Sequence, residues 1–320
     1  MARVVSPCQR SPGSGKAPGS AVQVGEKRGR HQGPPARAAM AHDRGRSYHA
    51  RRMNVGLVTP LPQGTDEQAP FATIAGDAGG GLLILCDHAE NRIPPGYGNL
   101  GLSGPELTRH IAFDPGAAMV ARHLAMRLGA PAVLSRFSRL LIDPNRGEDD
   151  PTLIMRLSDG TEIPGNAAVD NAERARRISR YHAPYHAAVE AAIERALALG
   201  RPPMLVSVHS FTPVWRGRAR PWHAGILWDR DQRLAAAMIA ALRTDPEIVT
   251  GDNEPYSGAL ANDTMSRHGT ARGLAHALVE IRQDLIGEET GAVEWADRLA
   301  AILATINGRE EMHWQALPDS

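Results

Sequence analysis

The chain has 320 residues, with 36 Lys and Arg against 35 Asp and Glu and a formal net charge of +1. That length supplies a sizeable core, two cysteines exclude a disulfide framework, and no run of 18 apolar residues offers a membrane span. The charge is split: residues 1–52 carry 11 Lys and Arg against only Glu26 and Asp43, leaving 25 basic and 33 acidic side chains, which argues against a nucleic-acid surface on the folded part.

Residues 1–54 form a basic extension rich in Gly, Pro, Ser, Ala and Arg, without periodic apolar positions, and are expected to be disordered. They lack the apolar stretch of a secretory signal. Their Arg-rich, acid-poor make-up suits a transit peptide or a nucleic-acid arm, and a true start at Met40 or Met53 accounts for them most simply. Cys8 lies here and Cys86 in a strand, so no disulfide is expected and the chain reads as cytoplasmic.

One domain is expected over 55–310, followed by a tail at 311–320. GLLILC (81–86) is its first firm strand. Ser103 to Leu128 reads as a helix, with Ser103 and Glu106 as a capping box and Gly129 closing it. A strand or bent strand pair follows at 132–142, then a Gly-, Asp- and Pro-rich loop over 144–169. The stretch 170–199 is helical in composition, with Pro184 predicting a kink or break. Strands at 204–208 and 224–228 flank a polar loop carrying Trp215, Arg216, Arg218 and Arg220. Helices are expected at 231–243, 261–268 and 289–307, and the last core strand at 274–281. No repeat is visible, and the alternation predicts an α/β fold with helices on both faces of a mixed, mostly parallel sheet.

Four apolar runs end on polar residues: Asp87-His88, Asp143-Pro144-Asn145-Arg146, His209-Ser210 and Glu280-Ile281-Arg282. Ligands bind where the carboxyl ends of such strands converge. His88 and His209 are candidate metal ligands, because neutral imidazole at a strand exit suits zinc, which takes three protein ligands in catalytic sites. Asp114, on the helix after the first strand, is favoured as third ligand, with Glu90 and Asn91 as alternatives nearer in sequence. Glu280 interrupts ALVEI, where a carboxylate is costly unless paired or near a metal. It is the candidate general base, the bland reading being an ion pair with Arg282.

Asn145 and Arg146 are candidates for gripping a substrate carboxylate, with Arg282 as a further one. Arg136 and Arg139 come from the preceding strand, which alternates, so one faces the site; Arg136 is the candidate for steadying a developing oxyanion. GDAGGG (76–81) lacks the lysine and the setting of a phosphate loop. Ser210 has no nucleophile-elbow setting, and Cys86 is strand filler. Tyr181, His182, Tyr185 and His186 either line a pocket or lock the helix kink.

These residues resemble the N-formylglutamate amidohydrolase family over roughly 80–290. The likeness rests on CDHAENRIP (86–94), HIAFDPGA (110–117), SRLLIDPNR (138–146), RYHAPYH (180–186), VHSFTP (208–213), DNEPYSG (252–258) and VEIRQDLI (279–286). It implies kinship with zinc carboxypeptidases and acylamino-acid deacylases and a phosphorylase/hydrolase-like three-layer αβα fold. It further implies zinc on His88 and His209, a general-base role for Glu280 and carboxylate binding by Asn145 and Arg146. The wider group's His-x-x-Glu pair is here His88-Ala89-Glu90-Asn91, which puts Asn91 where a ligand would stand.

The expected activity is metal-dependent hydrolysis of the N-formyl or small N-acyl amide of an acidic amino acid, most simply N-formyl-L-glutamate. Glutamate as product would close a histidine-degradation route. Alternatives are a deacylase for another N-acyl amino acid or a peptide-like substrate, and a non-catalytic carboxylate-binding homologue. The partner is a small molecule, and the oligomeric state is open.

Overall fold

The computed structural model describes residues 69–316. The expected basic extension, Cys8 and the alternative starts at Met40 and Met53 lie outside them. The strands of the central sheet are β1 (Phe71–Ile74), β2 (Leu82–Cys86), β3 (Ala132–Ser135), β4 (Met204–Phe211), β5 (Ala224–Leu227), β6 (Thr250–Asp252) and β7 (His276–Arg282). The principal helices are α1 (Ala117–Leu128), α2 (Asn171–Arg177), α3 (Ala183–Ala198), α4 (Arg233–Leu242), α5 (Thr264–His268) and α6 (Glu289–Ile306).

All seven strands join one sheet in the order β1-β3-β2-β4-β7-β5-β6. Neighbours are parallel except β1 against β3 and β7 against β5. The expected mixed, mostly parallel sheet with helices around it is therefore present. β2 and β4 are buried along their whole length, the pattern of strands covered on both faces. Alternation sorts their side chains. Ile84, Cys86, Val206, Val208, Ala277 and Val279 join one apolar layer, with Val120 and Leu124 of α1, Met238 of α4 and Trp295 and Leu299 of α6. Leu83, Leu85, Leu205 and Leu278 join the other, with Tyr185, Val189 and Ile193 of α3.

Several elements depart from the sequence expectation. The helix predicted from Ser103 to Leu128 is a single turn, Gly104–Leu107, and then α1. Pro115 biases Asp114 away from helix, and Gly116 turns the chain at φ 84°, where an added Cβ would meet the Ile286 carbonyl at 2.3 Å. Asp114 thus sits in a tight turn rather than on a helix. The strand predicted over 132–142 stops at Ser135. Beyond it the backbone N–H groups of Ser138 and Arg139 donate to the loop carbonyls of Arg92 and Ala112 instead of to a neighbouring strand.

Pro184 does not break its helix. The turn before it, Ile178–His182, widens to a π turn, with the Ala183 N–H donating to the Ile178 carbonyl. The helix then resumes with Pro184 in its first turn, where the missing N–H costs nothing. β1 and β6, both short edge strands, were not anticipated. The fold also continues past residue 310: Met312 is buried in the first apolar layer, and the Ala316 N–H donates to the Gly273 carbonyl. Among the described residues, no helix is long and apolar enough to cross a membrane.

Candidate active site

β2, β4 and β7 run parallel through the middle of the sheet, so their carboxyl ends open on one side. Parallel register sets Glu280 directly beside His209. His88 follows β2, and the turn at 114–116 folds back so that the Asp114 N–H donates to the His88 carbonyl. A cleft of about 440 Å³ opens here, lined among others by His88, Asp114, Arg139, Asn145, Arg146 and Glu280.

His88, Asp114 and His209 form a buried group able to hold a metal ion. Asp114 Oδ2 lies 3.3 Å from His88 Nδ1 and 2.9 Å from His209 Nδ1. The other ring nitrogens are engaged behind the site. His88 Nε2 donates to Asp143 Oδ1 at 2.7 Å, and His209 Nε2 to Asp87 Oδ2 at 2.8 Å. A carboxylate behind each imidazole fixes which nitrogen faces forward, the arrangement that orients metal-ligating histidines. Two imidazole nitrogens and one carboxylate oxygen suit zinc with a position left open for reaction. The donor set fits the ion.

The two rear carboxylates are themselves held. Asp87 Oδ1 accepts from Tyr185 and Thr264 at 2.9 and 2.6 Å, and Oδ2 accepts from Ser207 at 2.6 Å. Arg139 donates to Asp143 Oδ2 through Nε and Nη2, at 3.1 and 2.8 Å. Burial alone would push all three aspartates up. The His209 hydrogen bond and the neighbouring imidazoles instead hold Asp87 well below the usual carboxylate range. The charge of His88 and the hydrogen bonds from both imidazoles do so for Asp114, and the Arg139 guanidinium and His88 for Asp143. Burial would push His209 down, but its hydrogen bonds to Asp114 and Asp87 raise it well above the ordinary histidine value. Removing one partner of such a buried network leaves uncompensated charge. Asp87→Ala is therefore expected to destabilise the fold by about 3–5 kcal/mol, read as a lower midpoint in denaturant unfolding.

Glu280 is 6% exposed, and its Oε2 is buried without a hydrogen-bond partner. Burial pushes its carboxyl up to about 7, with Asp114 adding to the rise and His209 opposing it. An orphaned carboxylate beside a metal-capable group is poised to exchange a proton near neutral pH.

The remaining candidates divide. Asn145 and Arg146 line the cleft. The Asn145 side-chain oxygen accepts from the Thr264 N–H at 3.1 Å, and Arg146 Nε donates to Thr152 at 3.2 Å. Arg136 does not line it: it pairs with Glu90 at 3.4 Å, and Arg139, three residues on, is the arginine that reaches Asp114, at 3.5 Å. The strand ends before Arg136, so strand alternation does not decide which arginine faces inward. Arg282 also points elsewhere, pairing with Asp284 at 2.8 Å and donating to the carbonyls of Arg220 and Trp222. The alternative metal ligands are likewise engaged: the Asn91 amide donates to the Leu107 carbonyl, and Glu90 faces Arg136 and Arg92.

Tyr181, His182, Tyr185 and His186 do not line the cleft. His182 Nε2 donates to the Arg146 carbonyl and His186 Nε2 to the Pro144 carbonyl, each at 3.0 Å, so both brace the Asn145-Arg146 loop from behind. With its Nε2 donating, His186 must accept at Nδ1 from His268 Nε2, 2.9 Å away. Ser207, Thr264 and His268 were missed in the sequence. Only Ser207 left a signal, a polar residue two positions before His209 and therefore on the same strand face.

A sequence model described as N-formylglutamate amidohydrolase matches residues 80–287. A crystal structure of a gene product from Agrobacterium tumefaciens is 38% identical, with a TM-score of 0.72, over 76% of this chain and 96% of that one. The crystal structure of an N-formylglutamate amidohydrolase from Ralstonia eutropha is 23% identical, with a TM-score of 0.51, over 76% of this chain and 98% of that one, and so shares the fold. No curated protein sequence matches the chain. With a family match that covers six of the seven strands, both histidines and Glu280, this chain belongs to the N-formylglutamate amidohydrolase family of hydrolases.

Proposed function

We propose that the chain hydrolyses the N-formyl amide of an acidic amino acid, N-formyl-L-glutamate, to formate and L-glutamate, with a divalent ion, zinc, held by His88, Asp114 and His209. The observation that carries the reading is the meeting of two forward-facing Nδ1 atoms and Asp114 Oδ2 beside the unpartnered Glu280 carboxylate. When bound, zinc supplies Lewis-acid polarisation of the amide carbonyl and activation of water at neutral pH.

The chain's own residues do the rest. Glu280 takes the proton of the attacking water at its free oxygen and returns it to the leaving nitrogen. Arg139, anchored by Asp143, sets the Asp114 carboxylate and lends positive charge to the reacting carbonyl. Asn145 and Arg146 bind one substrate carboxylate, and the apolar walls around Leu227, Leu278 and Met265 keep that grip in a medium where a guanidinium–carboxylate pair is strong.

Formate release from N-formyl-L-glutamate tests the reading, with acetate release from N-acetyl-L-glutamate and formate release from N-formyl-L-leucine as comparisons. Turnover of the first and weak turnover of the last is expected. Preference for the leucine compound would overturn the acidic substrate. A longer N-acyl amino acid or peptide-like amide is a second reading, favoured by a cleft large enough for a drug-sized ligand and walled by Trp215, Trp228 and Tyr256.

The bracing of the loop has its own consequence. His182→Phe keeps a buried ring but removes the donor to the Arg146 carbonyl, so KM for N-formyl-L-glutamate is expected to rise about ten-fold with kcat little changed. Steady-state kinetics check it, and His182→Gln, which restores an N–H donor, is expected to recover much of the loss.

A further inference from the structure

Arg220 carries no role in the scheme above, and its surroundings are unusual for a guanidinium. It is 9% exposed and makes no ion pair with any carboxylate of the described residues. The two arginines that line the cleft are paired, Arg139 with Asp143 and Arg146 with Asp150 at 3.9 Å, and Arg282 nearby pairs with Asp284. Arg220 is instead boxed by aromatic faces, its guanidinium carbon 5.6 Å from the Phe211 ring centre, 5.3 Å from Trp215 and 5.1 Å from Tyr256. Such faces offset the burial of a cation but do not cancel its charge. Its field therefore reaches the cleft through a low-dielectric wall.

The group that passes this charge forward is the Tyr256 hydroxyl. Arg220 Nη1 donates to it at 3.0 Å. Having accepted from Arg220, the hydroxyl oxygen keeps its own proton free to donate, and Tyr256, 43% exposed, lines the same cleft as Arg146 and Glu280. Burial raises the phenol's pKa, and the negative charge of Glu280 raises it further, so it stays a donor. The loop carrying it is firmly seated. Asn253 Oδ1 accepts from the Trp228 and Gly258 N–H groups at 3.0 and 2.9 Å. Gly225 lets the Glu254 carbonyl approach so closely that an added Cβ would lie 1.8 Å from it.

We infer that Tyr256, backed by Arg220, is a second anion-binding subsite of the cleft, which takes the second carboxylate of a dicarboxylic N-acyl amino acid. N-formyl-L-glutamate carries two carboxylates, and the Asn145-Arg146 loop accounts for one. The inference rests on that proposed substrate class. Tyr256 is the residue that touches the ligand, and Arg220 is a positioning residue acting through it.

Binding of N-formyl-L-glutamate and of its neutral side-chain analogue N-formyl-L-glutamine is compared by calorimetry on the full chain carrying Glu280→Gln, so that no turnover intervenes. The parent is expected to prefer the dicarboxylate by about ten-fold or more, the ratio one charge-assisted hydrogen bond supplies. Tyr256→Phe, which preserves the ring, and Arg220→Met are each expected to bring that ratio toward one while leaving glutamine-analogue affinity within about two- to three-fold; Arg220→Lys is expected to restore part of the preference. An unchanged ratio in Tyr256→Phe, equal weakening of both ligands, or no binding of either ligand to the parent overturns the subsite. The Asn145-Arg146 reading fails separately: Arg146→Lys would then leave both affinities unaltered.

Discussion

Glu280→Gln is expected to lower kcat on N-formyl-L-glutamate by about 10²–10⁴-fold, the range supplied by a positioned general base. The substitution keeps the shape of the side chain and leaves His88, Asp114 and His209 intact, so metal content is expected to stay near that of the parent. Near-parental turnover would reassign the base. The same residue sets a pH dependence. Its carboxyl is raised to about 7 by burial, and the base is competent only when ionised. Activity is therefore expected to fall as the pH drops through that value, and to be held above it. A cation bound beside it draws the carboxyl down, so the acid limb of kcat/KM lies at or below about pH 7. The limb is expected to vanish from the residual activity of Glu280→Gln; an unaltered profile would place the titrating group elsewhere.

Removing the metal with a chelator is expected to abolish formate release and to lower the melting temperature, both restored by added zinc. The thermal effect follows from linkage. An ion held in the folded chain alone at about 100 times its Kd contributes roughly 2.7 kcal/mol, which for a domain of this size is about 5–10 °C. The direction is set by the site itself. Without a cation, His209 is driven to its charged form between Asp114 and Asp87, and metal binding must displace that proton from Nδ1. Affinity is therefore expected to weaken as the pH falls. Full activity in protein shown by elemental analysis to be metal-free would end the metal-assisted reading. His209→Ala is expected to reproduce the loss of activity in the presence of excess zinc.

The expectation and the structure agree where chemistry follows from local pattern. Apolar runs ending on His88, His209 and Glu280 announce buried strands with polar ends, because polar side chains are costly there unless paired. Seven motifs in order pointed to the family. The pattern was less informative where turns intervene. The run after Ser103 is helical in composition and predicts Asp114 on a helix, yet Pro115 and Gly116 turn the chain and bring its carboxylate back to His88. Arg136 and Arg139 could not be ranked once the strand stopped short of both.

By itself, then, the order of residues determined the layered α/β architecture, the polar side chains at the strand exits and the hydrolase family. These follow from period-two burial and from short motifs, which need no knowledge of distant contacts. Only the tertiary structure decided which carboxylate joins the imidazoles, that Asp87 and Asp143 stand behind them, that His182 and His186 brace the Asn145-Arg146 loop, and that Arg220 lies boxed behind Tyr256. Each of those contacts joins segments at least 26 residues apart, and the sheet order that brings them together is set by packing across the whole domain rather than by any local preference.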